Sequence, residues 1–263
     1  MEPEAANESR QQTEEAKPRS FFSRLGGVYL SPGETFREIG RAPRVLLPMI
    51  ALVAISLLVG YYMSQKVDLG SMMSGQLEQA VESGRITREQ MEQQVAVMSK
   101  FGGIQLTVGS AFGNLLIVLI VAAVFKLISV IIGAENRFKA VFTVTLYALL
   151  AVSIVQYVVT CLILFLKSPG ELSASSLTSI VASSLGALIS SLAGDDVLPK
   201  FLMRFTSWID IFAIWIIALL SIGYAAVSRK LKTSTAAIWL GGLYVVIALI
   251  VSAIGGISLT AGG

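Results

Sequence analysis

Residues 106–132, LTVGSAFGNLLIVLIVAAVFKLISVII, carry a single charged side chain, Lys126. The run exceeds the roughly 20 apolar residues that a helix needs to cross a bilayer. A surface helix of a soluble protein would set a charged face opposite its apolar one, and this stretch has none. Comparable runs occupy residues 45–64, 141–166, 208–227 and 236–257. Composition agrees: 54% of the 263 residues are hydrophobic and only 14% are charged, against about a quarter charged in a soluble domain. One aqueous core cannot hold so much apolar surface. The expected fold class is therefore an all-α integral membrane protein with five transmembrane helices at these positions.

The segments between the runs are polar, and their patterns are helical. Residues 1–18 are acidic and nearly free of large apolar groups, which predicts a disordered cytoplasmic tail. The tail lacks the basic start and apolar stretch of a cleavable signal peptide. Its Asn7-Glu8-Ser9 triplet is a chance match to a glycosylation acceptor. Residues 19–44 form an expected amphipathic interfacial segment. Phe21, Phe22, Leu25, Val28 and Tyr29 share one helical face, and Ser31-Pro32-Gly33-Glu34 spells a second helix start with serine as the cap. A small cap packed on the bundle is the alternative for the same residues.

After the first span, residues 65–105 read as a polar helical hairpin, an extramembrane insertion. Met73, Leu77, Ala80 and Val81 stripe its first helix. Thr87-x-x-Gln90 caps its second, which Met91, Val95 and Met98 stripe. Residues 167–206 are a connector with an amphipathic helix. Its uncharged part, Leu172 to Gly194, is long enough to span, but Leu177, Val181, Leu185, Leu188 and Leu192 face one way and most of its serines the other. That pattern suits an interfacial or re-entrant helix.

Charge placement gives the orientation. Lys17, Arg19, Arg24, Arg37, Arg41 and Arg44 precede the first span; Arg137 and Lys139 lie in the second connector, and Arg229, Lys230 and Lys232 in the fourth. Glu135 is the one acid among those two connectors. Basic residues collect on the cytoplasmic side, so the N-terminus is expected inside and the C-terminus outside. A sixth span at 172–194 would put Arg229, Lys230 and Lys232 outside.

Several function classes are poorly served by these residues. The chain has no histidine and one cysteine, Cys161, which removes the usual general base, the commonest metal ligand and any disulfide within the chain. No phosphate-binding glycine loop and no paired intramembrane carboxylates occur. The expectation is no catalytic, cofactor or metal site, and no nucleic-acid partner. Polar groups within spans are then the functional candidates, because burying them unpaired in lipid is costly. They are Asn114, one turn beyond Gly109-x-x-x-Gly113; Lys126, within snorkelling reach of the interface; Gln156, deep in the third span; and Asp210, where Ser207-x-x-Asp210 spells a capping box. Each has a packing or capping role as its plainer reading.

Residues 21–38, FFSRLGGVYLSPGETFRE, resemble the opening segment of bacterial members of the Yip (Ypt-interacting protein) domain family. The run 208–215, WIDIFAIW, followed by LLSIG at 219–223, resembles the fourth-span signature of the same proteins. The matching positions are Pro32, Phe36, Asp210, Phe212, Trp215 and Gly223, within a similarity over roughly residues 21–257. Eukaryotic members of that family serve membrane trafficking and contact Rab-type GTPases. The Asp-Leu-Tyr-Gly-Pro run associated with them is missing here, and the resemblance is to the bacterial branch. It implies a bacterial inner-membrane protein.

The functional expectation is a non-catalytic protein that organises or adapts other components. Its partners would be the lipid bilayer, anionic lipid at the inner face, and a membrane protein or a second copy of itself. The competing expectation is a transporter or lipid-handling protein that uses Gln156 and Asp210 around a polar cavity.

Overall fold

The computed structural model describes residues 19–66, 69–166, 184–194 and 197–260. The tail 1–18 and residues 167–183, including the first half of the serine-rich stretch, lie outside the described residues. The described chain is helical: α1 Phe21–Leu30, α2 Pro32–Arg41, α3 Leu46–Lys66, α4 Leu69–Glu82, α5 Arg88–Ile131, α6 Phe138–Leu166, α7 Leu185–Ala193, α8 Lys200–Ser207, α9 Ile211–Val227 and α10 Thr233–Thr260. Four of them, α3, α5, α6 and α10, are long and apolar enough to cross a membrane. The fourth expected span differs. Its helix, α9, begins at Ile211 rather than at Trp208 and has 17 residues, about 25 Å at 1.5 Å per residue. The physical reason is Asp210, which sits in extended backbone and caps the helix from outside.

Helix α5 has 44 residues, or about 66 Å, twice the roughly 30 Å thickness of a hydrocarbon core. It begins at the capping box, where the Thr87 hydroxyl accepts from Gln90 N–H and the Gln90 side chain accepts from Thr87 N–H. It ends at Gly133, whose φ of +67° is the left-handed conformation that closes helices, and Ala134 N–H returns to the Ser129 carbonyl at 2.8 Å. No proline interrupts it, so the break expected near residue 105 is absent. The second helix of the polar hairpin and the following span are one rod, and α4 packs back along it.

Helix α6 is the axis of the bundle. It touches α1, α2, α3, α5 and α9, and from Ala140 to Val152 every residue except Phe142 is buried. Small and β-branched side chains permit that approach. Thr143 and Thr145 donate their hydroxyls back to Lys139 and Val141, which removes the polar penalty within the helix itself. Between lipid-immersed helices packing contributes more than water exclusion, and here it includes Phe125 stacked on Tyr224 at 3.6 Å. Helix α10 is the opposite case. It packs on α8 and α9 alone among its stronger contacts and turns Ile238 (74% exposed) and Ile254 (62%) outward. Such surfaces are covered by lipid rather than water.

Candidate functional site

The N-terminal helices α1 and α2 form a hairpin on α6 and α9. Phe36 is fully buried, and Gly223 on α9 is what admits it: a Cβ there would collide with Val144 and press on the Phe36 ring. Tyr29 donates its hydroxyl to the Ala151 carbonyl at 2.7 Å and lies 6.0 Å from Trp215. Pro32 opens α2, but Ser31 makes no side-chain cap there. Ser31 N–H instead closes α1 on the Gly27 carbonyl at 2.8 Å. Arg24 is 1% exposed. It meets Glu38 at 3.1 Å and donates to the Ala42 carbonyl at 2.9 Å, while Arg19 takes the other Glu38 oxygen at 3.3 Å. Phe22 and Leu30 project outward, 79% and 88% exposed.

Asn114 lies between three helices. Its amide donates to Ser56 Oγ on α3 at 2.8 Å and to the Tyr157 hydroxyl on α6 at 2.9 Å. Its Gly109 and Gly113 neighbours do not make the close approach, since a Cβ at Gly113 would meet nothing and one at Gly109 only its own helix. Gly60 on α3 does, with Leu106 O and Thr107 Cα at 2.7 and 2.8 Å from where its Cβ would be. Lys126 does not simply reach for the interface. Its ammonium donates to the Asn136 carbonyl at 2.7 Å and to Asn136 Oδ1 at 3.1 Å, and Asn136 in turn donates to Ser228 Oγ at 3.0 Å. This chain ties α5 to both connectors at the end of the bundle that carries Arg41.

Gln156 and Asp210 come together. They line a cavity of about 430 Å³ with Trp208, Phe212, Ile216 and Tyr244, between α6, α9 and α10. Asp210 accepts from Phe212 N–H at 2.6 Å and is itself the helix cap. Ser207 is not, because its hydroxyl donates to the Met203 carbonyl within α8. Tyr244 donates to the Trp208 carbonyl at 2.7 Å, and Ser184 pairs with Asp210 in an isolated bridge that holds α7 over this mouth. Among the described residues the side-chain amide of Gln156 has no hydrogen-bond partner. A larger space of about 740 Å³ opens where the end of α3 diverges from α5, beside Tyr61, Gln65, Lys66, Met98 and Lys100. Among the described residues no group of three His, Cys, Asp or Glu converges as a metal ligand set.

Two features escaped the reading of the sequence. Arg24 belongs to a basic series, and only its position among the apolar residues of α1 hints at burial. The second is a line of exposed apolar residues that runs down α5 from its projecting part into the span: Val97, Phe101, Ile104 and Val108. Their spacing of i, i+4, i+7 and i+11 is present in the sequence, beside the half-buried Met91–Val95–Met98 stripe of the same helix.

Long apolar helices around a buried central rod, with outward-facing aliphatic surfaces, define a multi-pass helical membrane protein. The Yip1 domain model matches residues 26–255, and the chain belongs to that family. No curated protein and no solved structure matches it.

Proposed function

We propose that this is a non-catalytic adaptor or membrane-organising protein of a bacterial cell membrane. It crosses the bilayer five times, α9 included, with the N-terminus cytoplasmic and the C-terminus outside. The short α9 suits this topology because lipid thins or the helix sits upright around a brief span. The observation that carries the reading is the projecting α4–α5 hairpin with its exposed Val97–Phe101–Ile104 line. Apolar residues in a row outside a span are the surface a partner covers, while Asn114 and Lys126 are occupied in holding helices together. The partner is another membrane protein or a second copy of the chain.

Two measurements test it. On a Cys161→Ser background, a cysteine at Ser83 should react with an impermeant thiol reagent from outside, and one at Ser234 only after lysis. The reverse pattern, or both labelled from outside, removes the five-span topology. Mild-detergent purification should then yield a stoichiometric partner or homo-oligomer that Val97→Ser with Phe101→Ser dissolves. A wild-type protein that is monomeric and alone counts against the adaptor reading.

A transporter or lipid-handling role is the second reading, favoured by the cavity that brings Gln156 and Asp210 together. Polar groups at membrane depth persist where protein or a water-filled space covers them.

A further inference from the structure

The end of the bundle where α2 finishes is crowded with arginine. A cavity of about 500 Å³ lies between α2, the α5–α6 connector and the α9–α10 connector. Arg37, Arg41, Arg137 and Arg229 line it, and Glu135 is the only acid among its lining residues. The two connectors are fixed to each other, with Arg229 N–H on the Glu135 carbonyl at 2.8 Å. The α2 helix is fixed to α9, since a Cβ at Gly40 would stand 2.7 Å from Val227 Cγ1. Glycine lets α2 lie flush there and holds its arginine turn over the mouth.

The charges in this cavity are unbalanced. Arg37 and Arg41 are one turn apart and exposed, and like charges at that spacing repel. Among the described residues neither has an ion-pair or hydrogen-bond partner, whereas Arg19 and Arg24 nearby both hold Glu38. Arg137 donates to the Gly40 carbonyl at 3.2 Å. Arg229 meets Glu135 only at 3.7 Å, with both side chains largely exposed, a pair of little strength. Four arginines thus line one cavity whose single lining acid is weakly engaged. A planar guanidinium fork matches phosphate oxygens two at a time. The α5–α6 connector is flanked by Ile131 (69% exposed) and Phe138 (41%), so an anion seated here has apolar surface beside it for attached acyl chains.

The geometry points to a binding site for the phosphate of an anionic phospholipid headgroup, with Arg37 and Arg41 as its free ligands and Arg137 and Arg229 at its far wall. It rests on the membrane assignment and not on the adaptor reading. The test uses the full-length protein in a zwitterionic detergent. Short-chain phosphatidylglycerol, phosphatidylcholine and inorganic phosphate are titrated separately, and bound adducts are counted by native mass spectrometry. Phosphatidylglycerol should bind at least about tenfold more tightly than phosphatidylcholine, and Arg37→Gln with Arg41→Gln should remove that preference, a change of about 1.4 kcal/mol. Arg85→Gln with Arg88→Gln, an equal loss of charge on the projecting hairpin, should leave it in place. Equal binding of both lipids, or a preference that survives the Arg37 and Arg41 substitutions, overturns the site. Inorganic phosphate that displaces phosphatidylglycerol at matching concentration overturns the lipid as its occupant. Should the double variant not fold, Arg41→Lys keeps the charge and loses the fork; it should weaken phosphatidylglycerol about threefold, and unchanged binding refutes the assignment. Every such failure leaves the cysteine-labelling topology untouched.

Discussion

The two ends of this bundle handle buried polarity in opposite ways. At the N-terminal end, α1 and α2 close over α6 and α9, and key polar groups there are paired within the protein: Arg24 Nε with Glu38, Tyr29 with Ala151, Lys126 with Asn136, though Arg24 Nη2 and Thr35 Oγ1 stay buried without a partner among the described residues. At the other end, α9 starts late and leaves a cavity that Gln156 and Asp210 both line, and among the described residues the Gln156 amide makes no side-chain hydrogen bond. A paired network resists substitution because each loss strands a partner. An open cavity tolerates it, since nothing is stranded. Substitutions can therefore separate structural polarity from polarity left over for a ligand.

The largest effect is expected at Arg24. Removing one member of a buried pair costs about 3–5 kcal/mol, and Arg24→Ala belongs near the lower figure because Glu38 keeps Arg19 and some solvent. Unfolding in mixed micelles should show a loss of about 3 kcal/mol; a loss below about 1 kcal/mol would mean that the α1–α2 hairpin is not closed on the bundle. Next comes Gly223→Leu, which drives a side chain into Phe36 and Val144 and should cost about 1–3 kcal/mol by overpacking. Gly113→Leu, with open space around it, should fall within about 0.5 kcal/mol of wild type. If the two glycines respond alike, the close contact between α2 and α9 is not what holds this end together. Between the two glycines falls Asn114→Leu, which strands Ser56 and Tyr157. Hydrogen bonds between helices in lipid average about 0.6 kcal/mol and reach about 1.7, so a loss of about 1 kcal/mol in the same assay is expected.

These contrasts also show where the sequence was readable. Apolar runs follow from bilayer thickness, so α3, α5, α6 and α10 could be seen without any knowledge of packing. The capping box at Thr87 could be read because both partners lie within one turn. Ser31 and Ser207 looked like caps by the same rule and are not: Ser31 makes no side-chain cap bond, and Ser207 gives its hydroxyl to the Met203 carbonyl of its own helix. The Gly109-x-x-x-Gly113 spacing marked the wrong close contact for a related reason. A small residue permits an approach, but which helix makes it depends on the facing surface, and Gly60 lies on the other helix. The meeting of Gln156 with Asp210, and of Arg37 with Arg137 and Arg229, joins positions far apart in the chain. Local patterns hold no record of such encounters.

The smallest effect on stability is expected at Gln156, and it is the one that bears most on function. Gln156→Leu removes an amide with no side-chain partner among the described residues, so the unfolding free energy should stay within about 0.5 kcal/mol of wild type. The cavity between α6, α9 and α10 would meanwhile become apolar along one wall. A protein that uses this space for a polar solute or a lipid headgroup should then lose flux in proteoliposomes, and Asp210→Asn should lower it too while keeping an oxygen to cap α9. If neither substitution changes solute uptake or lipid scrambling, the cavity is a by-product of the late start of α9 and the transport reading falls. If flux drops while stability holds, the open end is where this protein meets its ligand, and the closed end is the frame that lets it stay open.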